Sequence, residues 1–208
     1  PDYRVGRSMK RFALALLGVA LSVPALSQSS DSKIKAYLRG GVNYNLSGVG
    51  LDSGLVSAGS IARLERPVNG WHAGLTVREQ RKDGSYLAFE SLYSARTYTF
   101  QGIDIEGRPF DETLQSQSVQ LALSPGFRMF KLVRAQAGIN ALFELNDTFQ
   151  STFSNYQLGY RLGVGLDLGS ITFDVALNSA FTAQGGTWNG LPLSNRPSEY
   201  LVSLGYKL

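Results

Sequence analysis

The run YQLGYRLGVGLDL, Tyr156 to Leu168, decides the fold. Alternate positions carry Tyr156, Leu158, Tyr160, Leu162, Val164, Leu166 and Leu168, all apolar or aromatic. The positions between carry Gln157, Gly159, Arg161, Gly163, Gly165 and Asp167, with no large apolar side chain. Successive side chains of a strand point to opposite faces, so this pattern predicts a β-strand with one greasy and one polar face. Gly169-Ser170 then turns the chain into Ile171, Phe173, Val175 and Leu177, opposed by Thr172, Asp174, Ala176 and Asn178. A two-residue connection between alternating segments predicts an antiparallel hairpin.

The same alternation extends outward in both directions. Val133 to Leu145, Thr113 to Arg128, Ser85 to Phe100, Gly70 to Gln80 and Lys33 to Leu46 each sort apolar from polar at period two, as does Glu199 to Leu208. With the first hairpin this predicts eight strands. Each spans about 10 to 14 residues, well above the soluble mode of about 5–6 and suited to a tilted strand crossing a bilayer. In a soluble barrel the polar face meets water, where glycine only weakens a strand. In a narrow membrane barrel that face is the crowded lumen, where missing side chains relieve congestion. Glycine fills 23 of 208 positions, above the roughly 7% usual, and Gly74, Gly126, Gly138, Gly159, Gly163, Gly165 and Gly205 all fall on the polar faces. Trp71, Tyr93, Tyr98, Tyr156, Tyr160, Tyr200 and Tyr206 lie toward strand ends, as an interfacial girdle requires. The expected fold is all-β: an eight-stranded antiparallel up-and-down transmembrane β-barrel.

Connections alternate in length. Arg81 to Gly84, Met129 to Leu132 and Gly169-Ser170 are short, whereas Ser47 to Asn69, Gly102 to Glu112, Asn146 to Asn155 and Gln184 to Ser198 are long. In outer-membrane barrels the short turns are periplasmic and the long loops extracellular. An even strand number then puts both barrel termini on the periplasmic side.

Ahead of the strands, Met9-Lys10-Arg11 precedes the apolar run Phe12 to Leu26, with Ala25-Leu26-Ser27 closing it. A basic start, a short apolar core and a small-x-small end predict a secretory signal peptide. The expected start is Met9, behind an upstream extension, with cleavage after Ser27. Residues 1–27 thus form the leader and 28–208 a single barrel domain. The leader holds four of the 20 basic residues and one of the 16 acidic ones, leaving 16 against 15 in the barrel. The chain's net charge of +4 therefore carries no argument for nucleic acid. A mean hydropathy of −0.07 excludes a bundle of membrane helices but is the natural average of a lipid face and a polar lumen. The absence of Cys removes thiolate sites and cysteine nucleophiles, and one His removes any site needing two imidazoles. No cofactor or metal is expected.

The run GWHAGLTVREQRKDGSYLAFESLYS, Gly70 to Ser94, resembles the hairpin of the PorT-like outer-membrane β-barrel family common in Bacteroidetes, a group akin to the small barrels of OmpA and OmpX type. Tyr86, Leu87, Glu90, Leu92, Tyr93 and Ser94 match, while Phe89 and Ser91 depart. YRLGVGLDLGSITFDV, Tyr160 to Val175, is similar to that family's second signature hairpin, and VSLGYKL to its closing strand, with Leu208 in place of a terminal aromatic. The resemblance implies an outer-membrane barrel and, by analogy with PorT, assistance in protein secretion. It is nearly silent on activity.

Parity assigns Lys35, Arg39, Arg78, Glu90, Arg96, Arg128, Arg134, Glu144, Arg161, Asp167 and Asp174 to the lumen, with Lys207 on the same side of the last strand. Charges inside a narrow barrel must be paired or hydrated. They are expected to form a structural polar network that plugs the lumen. His72 is the sole candidate general base; parity puts it on the lumen side, with no nucleophile motif beside it, and a packing or hydrogen-bonding role is expected. In the first long loop Leu55, Ala58, Ile61, Ala62 and Leu64 are spaced for one helical face, and in the last loop Trp188 sits among Gly, Asn and Pro. The expected function is a non-enzymatic outer-membrane barrel with a structural or surface-interaction role, a narrow porin-like channel being the alternative. Its expected partners are outer-membrane lipid, the barrel-assembly machinery through the C-terminal strand, and an envelope or extracellular protein at the long loops.

Overall fold

The computed structural model describes residues 32–46, 50–51, 62–64, 69–103, 108–130, 132–145, 156–182, 184–188, 191–195 and 198–208. Twelve strands follow in chain order: β1 Ser32–Asn45, β2 Gly50–Leu51, β3 Ala62–Leu64, β4 Asn69–Arg81, β5 Ser85–Ile103, β6 Pro109–Met129, β7 Val133–Glu144, β8 Tyr156–Leu168, β9 Ile171–Ala180, β10 Gln184–Trp188, β11 Leu191–Asn195 and β12 Ser198–Lys207. The expected leader, residues 1–27, lies outside the described residues.

Eight long strands close on themselves in the order β1-β4-β5-β6-β7-β8-β9-β12, each antiparallel to its sequence neighbour. The first and last meet along a seam that runs from Tyr37 opposite Lys207, through Val42 opposite Val202, to Asn45 opposite Glu199. Closure leaves none of the eight with an unpaired edge over the barrel wall, which is the condition for crossing a bilayer without water to satisfy the backbone.

The expected strands are present, and three features of the long-connection end are corrected. The connection expected over Gly102 to Glu112 is shorter, because β5 and β6 stay paired out to Ile103 opposite Pro109. These two strands, of 19 and 21 residues, run past the end of β7 and form a projecting hairpin. The Gln184 to Ser198 connection contains β10 and β11, which pair with each other, and β11 also pairs with β2. Ala62 and Leu64 do not lie on a helical face: they belong to β3, which adds to the outer part of β5 with Ala62 opposite Gly102. Edge pairing there overrides the i, i+3, i+4 spacing. Leu55, Ala58 and Ile61 of the same expectation lie outside the described residues.

At the other end the β4–β5, β6–β7 and β8–β9 connections are tight, with Gly84 at φ 91°, Phe130 at φ 50° and Gly169 at φ 68°. The start of β1 and the end of β12 lie there too, tied by the Leu208 amide donating to the Ala36 carbonyl at 2.9 Å.

Burial runs opposite to that of a water-soluble protein. Among the described residues 25 buried side chains are polar or charged and 10 are apolar. Ile139, Leu204 and Tyr206 are each 60% exposed on the outer wall, beside Leu38, Leu158, Leu162 and Val164. Each such group favours an apolar surrounding by about 1.5–3 kcal/mol on full burial, so the wall is stable only when covered by something apolar. Aromatic side chains rim it at the long-connection end: Trp71 lies against Tyr93, centroids 5.6 Å apart, with Tyr44, Tyr156, Phe181 and Tyr200 exposed nearby, and Tyr160, opposite Ile139 nearer the middle of the wall, reaches Phe181 at 6.0 Å.

Candidate functional site

The polar faces of seven of the eight wall strands, all but β6, contribute to one column of charge. Starting from the tight-turn end, Arg78 meets Asp167 at 3.2 Å and Asp167 meets Arg134 at 2.7 Å. Arg134 meets Asp174 at 2.8 Å, and Asp174 meets Arg39 at 3.1 Å. Arg39 meets Glu90 at 2.8 Å, and Glu90 meets Arg161 at 2.6 Å. Arg161 then donates to Asn178 Oδ1 at 3.1 Å, Asn178 Nδ2 donates to Glu199 at 3.4 Å, and Glu199 pairs with Arg96 at 3.0 Å. Signs alternate at every step, with one amide spliced in.

Six of these links cross the lumen between non-adjacent strands; Asp167–Arg134, Arg161–Asn178 and Asn178–Glu199 join neighbouring strands. β4 and β8, which supply Arg78 and Asp167, are diametrically opposed in the barrel order, and β5 and β8, which supply Glu90 and Arg161, are three places apart. Arg161 is 0% and Glu90 1% exposed, so the charges are out of water and each depends on its partner. Gln136 Nε2 donates to Glu90 at 3.1 Å, and the Arg78 guanidinium stacks over Tyr37 at 4.6 Å and Tyr86 at 5.2 Å. The column needs room that only glycine leaves: a Cβ at Gly165 would run into Asp174 Oδ1 and the Arg134 guanidinium. Toward the long-connection end the lumen keeps a cavity of only about 20 Å³, bordered by Gln120, Asn140, Gln157 and Glu199. That is space for about one water.

Of the eleven residues assigned to the lumen by parity, Arg39, Arg78, Glu90, Arg96, Arg134, Arg161, Asp167 and Asp174 join the column. Glu144 is buried in the lumen and accepts from the Ser116 hydroxyl at 2.8 Å. Lys35 and Arg128 stand apart from the column's ion pairs: half-buried, they line a cavity of about 330 Å³ at the tight-turn mouth, with Lys35 Nζ donating to Gln80 at 2.9 Å. Lys207 is exposed at the end of β12 rather than inside. Glu199 is a carboxylate of the column absent from the expected set; it shares the parity of Leu201 and Ser203, so carrying the alternation four residues back from Ser203, past the apolar Leu201, would have found it.

His72 occupies a second constellation. Its ring bridges Asn43 Oδ1 through Nδ1 and Ser203 Oγ through Nε2, the latter at 2.8 Å. An amide oxygen only accepts, so in the neutral ring Nδ1 carries the proton and Nε2 accepts from the Ser203 hydroxyl. Nucleophile, base and orienting amide in that order are the parts of an acyl-transfer triad, and Ser203 is the hydroxyl that no sequence motif signalled. Access decides against that use. All three residues are 1% exposed, and neither of the two cavities described above borders them. The contact instead staples the barrel seam, since Gly41 of β1 lies between His72 of β4 and Ser203 of β12 in register. Among the described residues no group of three or more His, Asp or Glu is placed to hold a metal ion.

A closed antiparallel barrel with a charged, filled interior and an apolar wall is a membrane-spanning β-barrel of the eight-stranded up-and-down kind. No protein-family model and no curated relative matches the chain. Among solved structures it is similar to the outer membrane protein OprG from Pseudomonas aeruginosa, with 15% identity and a TM-score of 0.48 over 86% of this chain and 97% of that one. It is also similar to the outer membrane protein AlkL, at 14% identity and a TM-score of 0.49 over 88% and 93%. Ail, the attachment invasion locus protein of Yersinia pestis, gives 12% identity and a TM-score of 0.42 over 85% and 99%. The class assigned above stands on the strand pairing and burial of this chain alone.

Proposed function

We propose that the chain is an integral outer-membrane β-barrel without enzymatic activity, serving the envelope structurally or through contacts at its long connections, and that its lumen does not conduct. The short turns and both chain termini of the barrel face the periplasm and the long connections face outward, after export directed by residues 1–27 and removal of that leader. The observation that supports this reading most is the alternating column from Arg78 to Arg96, in which Arg78–Asp167, Glu90–Arg161 and Arg96–Glu199 each cross the lumen between non-adjacent strands. An eight-stranded interior is just wide enough for side chains, and here they fill it with paired charge. The C-terminal strand is the segment the assembly machinery would engage, and outer-membrane lipid covers the wall.

Reconstitution in a planar bilayer tests the lumen: the expected trace is flat, and a steady open conductance would replace this reading with the narrow channel. Heat-modifiable migration in cell-envelope fractions tests the membrane assignment. The secretion role implied by the PorT-like hairpin rests on the motif residues alone; deleting the gene and comparing secreted proteins tests it.

A further inference from the structure

We propose that the tight-turn mouth of the barrel is a binding site for a phosphate-class anion. The cavity there measures about 330 Å³, and among the described residues its lining carries five cations, Lys33, Lys35, Arg81, Lys82 and Arg128, and no carboxylate. The contrast with the rest of the interior carries the argument. In the column, arginine and carboxylate alternate, and the series ends just inside the mouth at Arg78 and Asp167. The Asp167 carboxylate is held by both Arg78 and Arg134. Lys35, directly opposite Arg78 in register, donates to the neutral amide of Gln80. Asp83, on the turn between Arg81 and Ser85, is exposed and accepts from the Ser85 amide and hydroxyl.

Cations gathered in a cleft with low-dielectric walls focus a positive potential. Lysine and arginine together suit a compact multivalent oxyanion, lysine as a point charge and arginine as a fork. The volume falls at the small end of ligand pockets, roughly 300–1,000 Å³, which fits one phosphate or one phosphate-bearing headgroup. Phosphate dissolved in the adjoining compartment and the phosphate of an anionic lipid share this chemistry. The site holds whichever side of the membrane the mouth faces, so it does not depend on the orientation proposed above.

The test uses the folded full-length barrel in phosphatidylcholine nanodiscs, followed by NMR. One arm titrates inorganic phosphate at constant ionic strength against chloride; the other replaces part of the lipid with phosphatidylglycerol. Saturable shifts at Lys35 and Arg128 in either arm support the site, and the arm that produces them names the source. Lys35→Gln and Arg128→Gln, made singly so that each barrel keeps the other cation, are each expected to weaken binding about tenfold, as loss of one charge-assisted contact of roughly 1.4 kcal/mol does. Arg108→Gln, at the opposite end, leaves it unchanged. Equal shifts with chloride, no saturation in either arm, or unchanged binding in both mouth variants would overturn the proposal.

Discussion

His72 and Ser203, 131 residues apart in sequence, are joined by a 2.8 Å hydrogen bond that passes over Gly41 and locks the seam where the first strand meets the last. A Cβ at Gly41 would meet the His72 ring and the β12 backbone at Val202 and Ser203.

Two substitutions separate the staple from the space it needs. His72→Ala leaves the buried Ser203 hydroxyl and Asn43 amide without this partner and is expected to lower unfolding stability by about 1–3 kcal/mol. Gly41→Val is expected to block closure, seen as loss of the heat-modifiable band. Urea unfolding in lipid vesicles measures the first, and a gel shift the second. A Gly41→Val barrel that closes normally would show that the seam has slack.

Glu90 holds Arg39 at 2.8 Å and Arg161 at 2.6 Å at the centre of the column. Glu90→Gln leaves two buried guanidinium groups sharing no anion at that point, and breaking a buried pair costs about 3–5 kcal/mol. The double change Glu90→Leu with Arg161→Met removes the charge from both sides and is expected to cost less than Glu90→Gln. A double-mutant cycle by urea unfolding checks the order. If the double variant is the less stable, the column contributes more than mutual neutralisation.

The sequence makes the wall of this barrel legible and its interior only partly so. Period-two alternation fixes each residue's face, because a one-residue slip would turn Tyr156, Leu158 and Leu162 inward and Arg161 into lipid. Parity therefore finds Arg161 and Glu90 but cannot say that they meet, since β5 and β8 are three places apart around the ring. That depends on strand tilt and stagger, which composition does not encode. Glu199 escapes notice at the start of β12, beyond the apolar Leu201 that interrupts the polar face, and Ser203 reads as one more small lumen residue until closure carries it to His72. The outward extension of β5 and β6 is hidden for a different reason: Asp104 to Arg108 is rich in turn formers and charge, and the pairing on either side of it is read only in register.

Ile139, near the middle of β7, and Tyr156, at the start of β8, are both 60% exposed on the outer wall. Arginine on the lipid face costs about 2–4 kcal/mol at the bilayer midplane and about 0–1 near an interface. Ile139→Arg is therefore expected to destabilise the barrel several kcal/mol more than Tyr156→Arg when each is unfolded from vesicles. Equal costs at the two positions would place the aromatic rim inside the hydrocarbon, against the girdle assignment.

Asp83 sits on the exposed β4–β5 turn, where the Ser85 hydroxyl donates to its Oδ1 at 2.7 Å and the Ser85 amide at 2.9 Å. These bonds, the hydroxyl's first, favour the ionised form and hold the carboxyl below its usual range. A folded value depressed below the unfolded one stabilises the turn at pH above the unfolded value of about 3.9, and the contribution is lost as pH falls through the folded value. Ser85→Ala is expected to move the Asp83 titration upward toward its ordinary position and to flatten the acid dependence of the turn's amide shifts. A carbon-detected NMR titration of the Asp83 carboxyl reads both, and an unchanged midpoint in Ser85→Ala would mean that the residue-85 amide, not the hydroxyl, sets it.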